Sequence, residues 1–330
     1  MTSLAVPARS IGAVLNNSWV SFGLRRAGRL VVSLWVLVTA SFLMIHLIPG
    51  DPVRAALGIG APPSLVQARR HALGLDQPLL SQYLHYLHGV LTGDFGISMT
   101  SELPVSEIIS QRLPATLALS LLAFLVALLI AVPLGTGLGV LTRGGRARGA
   151  ELAFTTASAI FGAIPDFLAG VLLVWLFAVR LHWFPVAGRG GPSSYVLPVL
   201  ALAIGPGAVL ARILRVELLA VLQQDFVRTA RAKRLPALAI YLKHALPNAL
   251  TSTITLGGLL LSVMVAGTVL VENVFAWPGL GSTIVSSILD KDYPVVQAVV
   301  LVYGFGVLLV NLAVDIALAL LDPRSTIREA

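Results

Sequence analysis

Few residues in this sequence have the types and spacing that catalysis requires. The 330 residues include no cysteine, which excludes disulfides, thiolate metal sites and cysteine nucleophiles. We find neither a G-x-x-x-x-G-K-[ST] phosphate loop nor a G-x-S-x-G serine elbow. His85 and His88 lack H-E-x-x-H spacing and further ligands, which favours a solvated face over a metal site. The sequence therefore predicts no catalytic residue and no metal site.

The densest charge lies in residues 225–250, between two apolar stretches. One acid, Asp225, accompanies five basic residues there: Arg228, Arg231, Lys233, Arg234 and Lys243. A basic, helix-forming loop beside membrane spans has three uses. It binds lipid headgroups, docks a cytosolic partner or fixes the topology of the chain, and charge alone does not choose among them.

A single acid, Asp166, lies in the middle of the apolar stretch 151–180 and follows Pro165. An ionisable residue within a membrane span is costly and is a functional-site hypothesis by default. Asp166 could meet a cationic group of a passing substrate, such as the amine of a peptide. The structural alternatives are that it caps the helix that restarts after Pro165, or that it pairs with an arginine, such as one from a partner subunit.

The elements that position these residues are membrane-spanning helices. The chain is 57% hydrophobic, only 12% charged and has a mean hydropathy of +0.89, whereas soluble domains carry about 25% charged residues. Uncharged runs long enough to cross a bilayer recur along the chain. They predict an all-α membrane protein with six spans, at 25–49, 113–142, 151–180, 190–211, 245–271 and 293–321. The third span is expected to be one helix that is kinked or broken at Pro165.

Two spans carry residues that suggest helix packing. Gly135, Gly137 and Gly139 are spaced for close helix approach in the second span. Asn311 and Asp315 in the sixth span are expected to bond across the bundle.

The regions outside the spans have distinct characters. Residues 1–24 are predicted to be a cytosolic extension, residues 50–113 an extracytoplasmic arm of about three short helices, and residues 323–330 a cytosolic tail. Asp51 and Asp94 in the arm are expected to cap or turn the backbone. Most of the 23 lysine and arginine residues fall on the side of the two termini and the basic loop. The positive-inside rule therefore places both termini and the basic loop in the cytosol.

The order of residues in the basic loop resembles the EAA loop of bacterial ABC importer permeases, in the dipeptide, oligopeptide and nickel permease family. The sequence pattern of the loop in that family is D-Y-V-R-T-A-R-A-K-G-L, and residues 225–235 match it closely. Three positions depart from the pattern: Arg234 replaces the turn glycine, Pro247 replaces an arginine and Ser252 replaces a proline. Glycine takes positive φ most easily, so the turn at Arg234 is either built differently or coupled more weakly.

Further family signatures follow in the right order, and the resemblance covers roughly residues 25–325. They are Ile48–Pro52, Leu73–Pro78, Gly93–Ser98, the tryptophan and proline at Trp183 and Pro185, Glu272–Gly281, Asn311 with Asp315, and Asp322–Arg324. Residues 164–167 match I-P-S-F except that Asp166 stands in place of the serine. The resemblance implies a type I importer, or MetI-like, permease with a five-helix core at 114–322.

The resemblance also implies roles for single residues. The EAA loop, at 219–247, is expected to form two short helices that fit a groove on a cytosolic ATPase. Its contact residues would be Asp225, Arg228, Thr229, Ala230, Arg231, Lys233, Arg234 and Leu235. The candidate translocation path comprises Asp166, Glu272 and Trp277. The arm, the Trp277 turn and the region of Tyr195 would receive substrate from an external binding protein.

The implied function is ATP-driven import by a bacterial inner-membrane complex. This chain would bind no cofactor, and ATP and Mg²⁺ would belong to one or two partner ABC ATPase subunits. A homologous second permease and an extracytoplasmic binding protein would complete the complex. Di- or oligopeptides are the expected substrate, and nickel or another small solute is the alternative. An ion-coupled secondary transporter is a distant alternative, because it would favour paired repeats with broken helices in both halves.

Overall fold

The computed structural model describes residues 18–47, 51–58, 60–72 and 74–321. Several sequence predictions fall outside these ranges. They concern residues 1–17 of the N-terminal extension, residues 48–50 and 73 of two family signatures, and the segment 322–330 at the C-terminus.

Helices make up the regular structure of the described ranges. The α-helices are α1 (Ser18–Leu47), α2 (Pro52–Leu57), α3 (Pro63–Ala72), α4 (Leu79–Thr92), α5 (Val105–Leu141), α6 (Arg148–Ala163), α7 (Asp166–Leu173), α8 (Val196–Val221), α9 (Asp225–Ala232), α10 (Ala237–Ala239), α11 (Leu246–Val274), α12 (Leu280–Leu289) and α13 (Tyr293–Leu321). Helix α7 continues as a π-helix over Val174–Arg180, and α10 as a π-helix over Ile240–Ala245.

Five helices of the described ranges are long and apolar enough to cross a membrane. They are α1, α5, α8 with its preceding turn, α11 and α13. The pair α6 and α7 adds a sixth span if the two are counted as one. This agrees with the predicted all-α class and its six spans. Helix α8 extends past the predicted end at 211 to Val221, because Arg212 and Arg215 do not interrupt helical propensity.

The break predicted at Pro165 is present and is sharper than a kink. Helix α6 ends at Ala163, Pro165 adopts extended backbone, and α7 begins at Asp166 at 98° to α6. Proline disfavours helical φ and ψ in the residue before it, so Ile164 is extended and the helix stops.

Helix α5 is the central packing element. Its 37 residues span about 55 Å, well beyond the ~30 Å hydrocarbon core. Gly135 and Gly139 lie against α8 as predicted, whereas Gly137, named with them, is exposed and a Cβ there would meet no atom of the described residues within 4 Å. A Cβ on Gly135 would lie 2.7 Å from the Ala211 carbonyl oxygen, and one on Gly139 2.9 Å from Leu218. The absence of side chains at these two positions therefore lets the α5 and α8 backbones approach closely.

Polar contacts tie α13 to two other spans. Ser262 in α11 donates to the Asn311 amide oxygen at 3.0 Å. Arg26 in α1 pairs with Asp315 at 2.5 Å. These two bonds confirm that Asn311 and Asp315 join helices across the bundle.

The arm comprises α2, α3 and α4, followed by an extended loop. Asp51 accepts from the Val53 amide at 3.1 Å, and Asp94 accepts from the Gly96 amide at 3.0 Å, so both aspartates hold backbone turns as predicted. The loop is attached to the core by the buried Asp292. Its carboxylate accepts from the Ser98 hydroxyl and from the Met99 amide.

Candidate functional site: the EAA loop, the turn after α11 and the α6–α7 break

The basic loop is a helix pair held against the C-terminal end of α8. Helix α9 is followed by a turn at 233–236, and α10 then runs through its π-helix into α11. The inner face is apolar: Val227, Ala230, Ile240 and Ala245 are buried against Leu214 and Leu218 of α8. The two short helices expected from the resemblance are therefore present, whereas their fit to an ATPase remains a prediction.

The opposite face of the loop is open to solvent. Asp225 and Arg228 form an exposed ion pair at 3.2 Å, and Lys233 and Arg234 are exposed beside them. Four large apolar side chains of the loop are also exposed: Phe226, Leu235, Leu238 and Leu242. The sequence reading missed Phe226 and Leu238, although their alternation with the buried Val227 and Ile240 is an amphipathic signal. A face that is basic and apolar together suits a protein partner and also anionic headgroups, so it does not choose between them.

Arg234 takes the conformation for which glycine is best suited. Its φ is +55°, and the Leu235 amide bonds back to the Ala230 carbonyl at 3.3 Å. The turn is thus built with the left-handed backbone that glycine adopts without cost, and the arginine bears a strain of about 1 kcal/mol.

A buried arginine joins the loop's supporting helices. Arg215 of α8 donates from Nη2 to Glu151 Oε1 of α6 at 2.6 Å and from Nε to Thr142 Oγ1, after α5, at 3.0 Å. Next to Thr142, Arg143 reaches the Tyr241 hydroxyl in the loop at 3.4 Å. Sequence reasoning missed this cluster, since charge counting treated Arg215 as one more topology signal. The signal was a basic residue on the same helix face as Leu214 and Leu218.

The turn after α11 is organised by Glu272. This fully buried carboxylate accepts from the Thr116 hydroxyl at 2.6 Å, from the Gly281 amide at 2.6 Å and from the Ser282 amide at 3.1 Å. Gly281 and Ser282 are in the first turn of α12, so Glu272 caps that helix from the end of the preceding one. A Cβ on Gly279 would lie 2.4 Å from the carboxylate, which explains the glycine there.

Trp277 is enclosed in the same turn. Its indole nitrogen donates to the Ala115 carbonyl at 3.2 Å. Its ring forms a T-shaped contact with Tyr195, with 4.5 Å between the ring centroids. Arg189 donates to the Tyr195 hydroxyl at 2.8 Å, so the turn and the Tyr195 region form one unit. Glu272 and Trp277 are both fully buried within this chain.

Asp166 lies elsewhere, at the break between α6 and α7. It is half-buried, and its carboxylate oxygens lie next to Gly205 of α8 and Gly267 of α11. Among the described residues no hydrogen bond joins Asp166 to Glu272 or Trp277, so the three candidate path residues form two separate groups. Their assignment to a translocation path remains a prediction.

The comparisons with known proteins place the chain in a family. Residues 131–327 match the model of the binding-protein-dependent transport system inner membrane component. Residues 19–120 match the model of the N-terminal region of a binding-protein-dependent transport system membrane component. The chain belongs to this family.

Individual relatives are similar over nearly their full length. The chain is 36% identical over 304 residues to the glutathione transport system permease protein GsiC of Escherichia coli K12, covering 92% of this chain and 98% of the relative. It is 39% identical over 305 residues to GsiC of Salmonella typhimurium LT2, with the same coverage. These matches confirm the resemblance drawn from the EAA loop and the other signatures.

A solved structure supports the fold. An inward-facing conformation of the MetNI methionine ABC transporter aligns with a TM-score of 0.56 at 21% identity, covering 65% of this chain and 96% of that chain. This likeness confirms the MetI-like fold. As a binding-protein-dependent ABC permease, the chain is the inner-membrane component of an importer and is not itself the ATPase. Its partners are ABC ATPase subunits, a second permease and a substrate-binding protein, as predicted.

Proposed function

We propose that this permease translocates di- or oligopeptides that an extracytoplasmic binding protein delivers. The observation that carries the proposal is the near full-length similarity to GsiC, whose name specifies transport of glutathione, a small peptide. Nickel or another small solute is the alternative. Since the chain belongs to an ABC importer family, no observation now favours an ion-coupled secondary transporter.

We propose the predicted orientation and division of the chain. Residues 1–24 and 323–330 and the EAA loop at 219–247 are cytosolic, and the arm at 50–113 is extracytoplasmic. The bias of positive charge supports this arrangement. ATP and Mg²⁺ then bind the partner ATPases on the cytosolic side, where the exposed face of α9 and α10 is available for docking.

The structure suggests how ATP hydrolysis drives transport. Closure of the ATPases would displace the EAA loop, and the apolar contact of Val227 and Ile240 with Leu214 and Leu218 would carry α8 with it. Arg215 links α8 to the start of α6 and the end of α5. Displacement of the loop would therefore move α5, α6 and α8 as one body. Such a rigid-body shift is what alternating access requires.

The test is reconstitution of the complete complex, with ATPases, second permease and binding protein, in liposomes. We expect ATP-dependent uptake of peptides and no uptake with a non-hydrolysable ATP analogue. Glutathione, a dipeptide, a pentapeptide and Ni²⁺ are compared in the same vesicles. Uptake of Ni²⁺ without uptake of any peptide would replace the peptide proposal with the nickel alternative. Uptake that survives ATP depletion would contradict an ABC mechanism.

A further inference from the structure

Asp166 is a carboxylate at an interruption of a membrane span. The chain turns by 98° between α6 and α7, and Asp166 is the first residue after the break. It is half-buried, while Phe161, Pro165 and Phe167 around it are exposed in this single chain. The break is therefore a surface feature of the isolated subunit, with an acid at its centre.

Two glycines make room for the carboxylate. A Cβ on Gly267 of α11 would lie 3.2 Å from Asp166 Oδ2, and one on Gly205 of α8 would lie 3.6 Å from Oδ1. At 3.2 Å a methyl group would crowd the oxygen. The carboxylate thus occupies a niche between two spans, and bare backbone rather than side chains walls it on two sides.

The niche holds no counter-charge from this chain. In the parts that the structure describes, the Asp166 side chain has neither a hydrogen bond nor an ion pair, whereas Asp315, the acid in the last span, pairs with Arg26. An ionised acid in hydrocarbon is costly, so such residues face a bundle interior or a water-filled cavity. The complex contains a second permease, and the path between the two subunits would offer such a place to the exposed surface around Asp166.

We infer that Asp166 binds the protonated amino group of the transported solute within the translocation path. The inference rests on the proposed function and deepens it, since it specifies a solute that carries a free ammonium. A carboxylate with one open side accepts charge-assisted hydrogen bonds from an ammonium group. The two glycines beside the carboxylate offer no competing donor side chain. A fixed arginine of the second permease is the competing occupant of the niche.

The first experiment compares two peptides in reconstituted vesicles. Asp166→Asn is expected to lower uptake of a dipeptide with a free amino terminus about tenfold, the effect of one charge-assisted hydrogen bond. Uptake of the N-acetylated dipeptide is expected to change by less than about twofold.

Two further variants serve as controls. Asp166→Glu is expected to retain most uptake, and Asp290→Asn, at an exposed acid outside the spans, is the matched control. Each rate is divided by the unmodified permease's rate for that peptide, which cancels the selectivity of the binding protein. Equal loss for both peptides would indicate a structural pair with the partner permease and overturn the inference.

The second experiment does not depend on delivery or on peptides. Because the chain has no cysteine, Phe167→Cys places a unique thiol beside Asp166, and Leu289→Cys provides an exposed control. Maleimide labelling of this chain within the purified complex is measured with glycinamide or N-acetylglycinamide present. Glycinamide, but not N-acetylglycinamide, is expected to slow labelling of the Phe167→Cys thiol. Asp166→Asn is expected to abolish that protection. Protection by both amides or by neither overturns the site. A complex that imports no peptide but shows selective protection would refute the proposed substrate and leave the ammonium site standing.

Discussion

Arg215 and Glu151 form an ion pair at 2.6 Å that joins α8 to α6 directly beside the EAA loop. The side chain of Arg215 is only 8% exposed, whereas that of Glu151 is 39% exposed. The guanidinium therefore depends on Glu151 and Thr142 for compensation of its burial.

Glu151→Gln should destabilise the permease by about 2 kcal/mol. Breaking a fully buried pair costs roughly 3–5 kcal/mol, and the exposure of Glu151 reduces this. Thermal unfolding of the purified complex measures the stability. The control is Arg146→Gln, a change at an exposed residue in the turn between α5 and α6. If the cluster also transmits motion, the ratio of substrate-stimulated to basal ATPase activity falls in Glu151→Gln. An unchanged ratio would restrict Arg215 to a structural role.

Gly281→Ala should disrupt the cap on α12. The new methyl group would lie 2.5 Å from the Val269 Cα and 2.8 Å from Glu272 Oε2, and neither atom can move freely. We expect a loss of roughly 2–3 kcal/mol from overpacking and weakened capping. Gly137→Ala in α5 is a matched control, because a Cβ there meets nothing within 4 Å and alanine favours the helix. Similar melting temperatures for the two variants would contradict this account of the turn.

Arg234→Gly should stabilise the EAA loop slightly, by at most about 1 kcal/mol. Glycine relieves the strain of φ +55° but increases the entropy of the unfolded chain. Substrate-stimulated ATPase activity is expected to be preserved or raised. Arg234→Ala separates the two effects, since it removes the guanidinium and keeps the strained backbone. A large loss of stimulation in both variants would show that the Arg234 side chain itself contacts the ATPase.

The arm contains a pH-sensitive contact between His71 and Asp76, whose side chains meet at 2.6 Å. The hydrogen bond and charge of Asp76 raise the pKa of His71, and the hydrogen bond to His71 lowers the pKa of Asp76. The histidine's contribution is full below its unfolded pKa and is lost as pH rises through the raised value. The aspartate's contribution is present above its unfolded pKa and is lost as pH falls through the lowered value.

The contact is therefore strongest between these two limits, in mildly acidic solution. The protection factor of the segment around α3, which is the intrinsic rate of amide hydrogen exchange divided by the observed rate, should be highest there and should fall toward alkaline pH. Because both groups are exposed, we expect a small change confined to this segment. His71→Gln should flatten the profile, and an unaltered profile in this variant would assign the pH dependence to another group.

Sequence patterns were sufficient for much of this protein. Uncharged length and the distribution of arginines predicted the spans, because lipid excludes charge from any helix it surrounds. Pro165 predicted the break, and Asn311 and Asp315 predicted bonds across the bundle, because a polar group in a span needs a partner. The order of residues 225–235 predicted the loop and the family.

Tertiary structure alone decided which polar residues meet. Glu272 and Thr116 are far apart in the chain, and no spacing rule links a span end to the first turn of a later helix. The apolar run ends at 211 and leaves Arg215 outside the predicted span, but α8 continues to Val221 and buries it. The angle at Pro165 and the niche between Gly205 and Gly267 depend on how three helices pack. Local sequence specifies where a helix stops, whereas the direction in which the chain continues is set by the surfaces that it contacts.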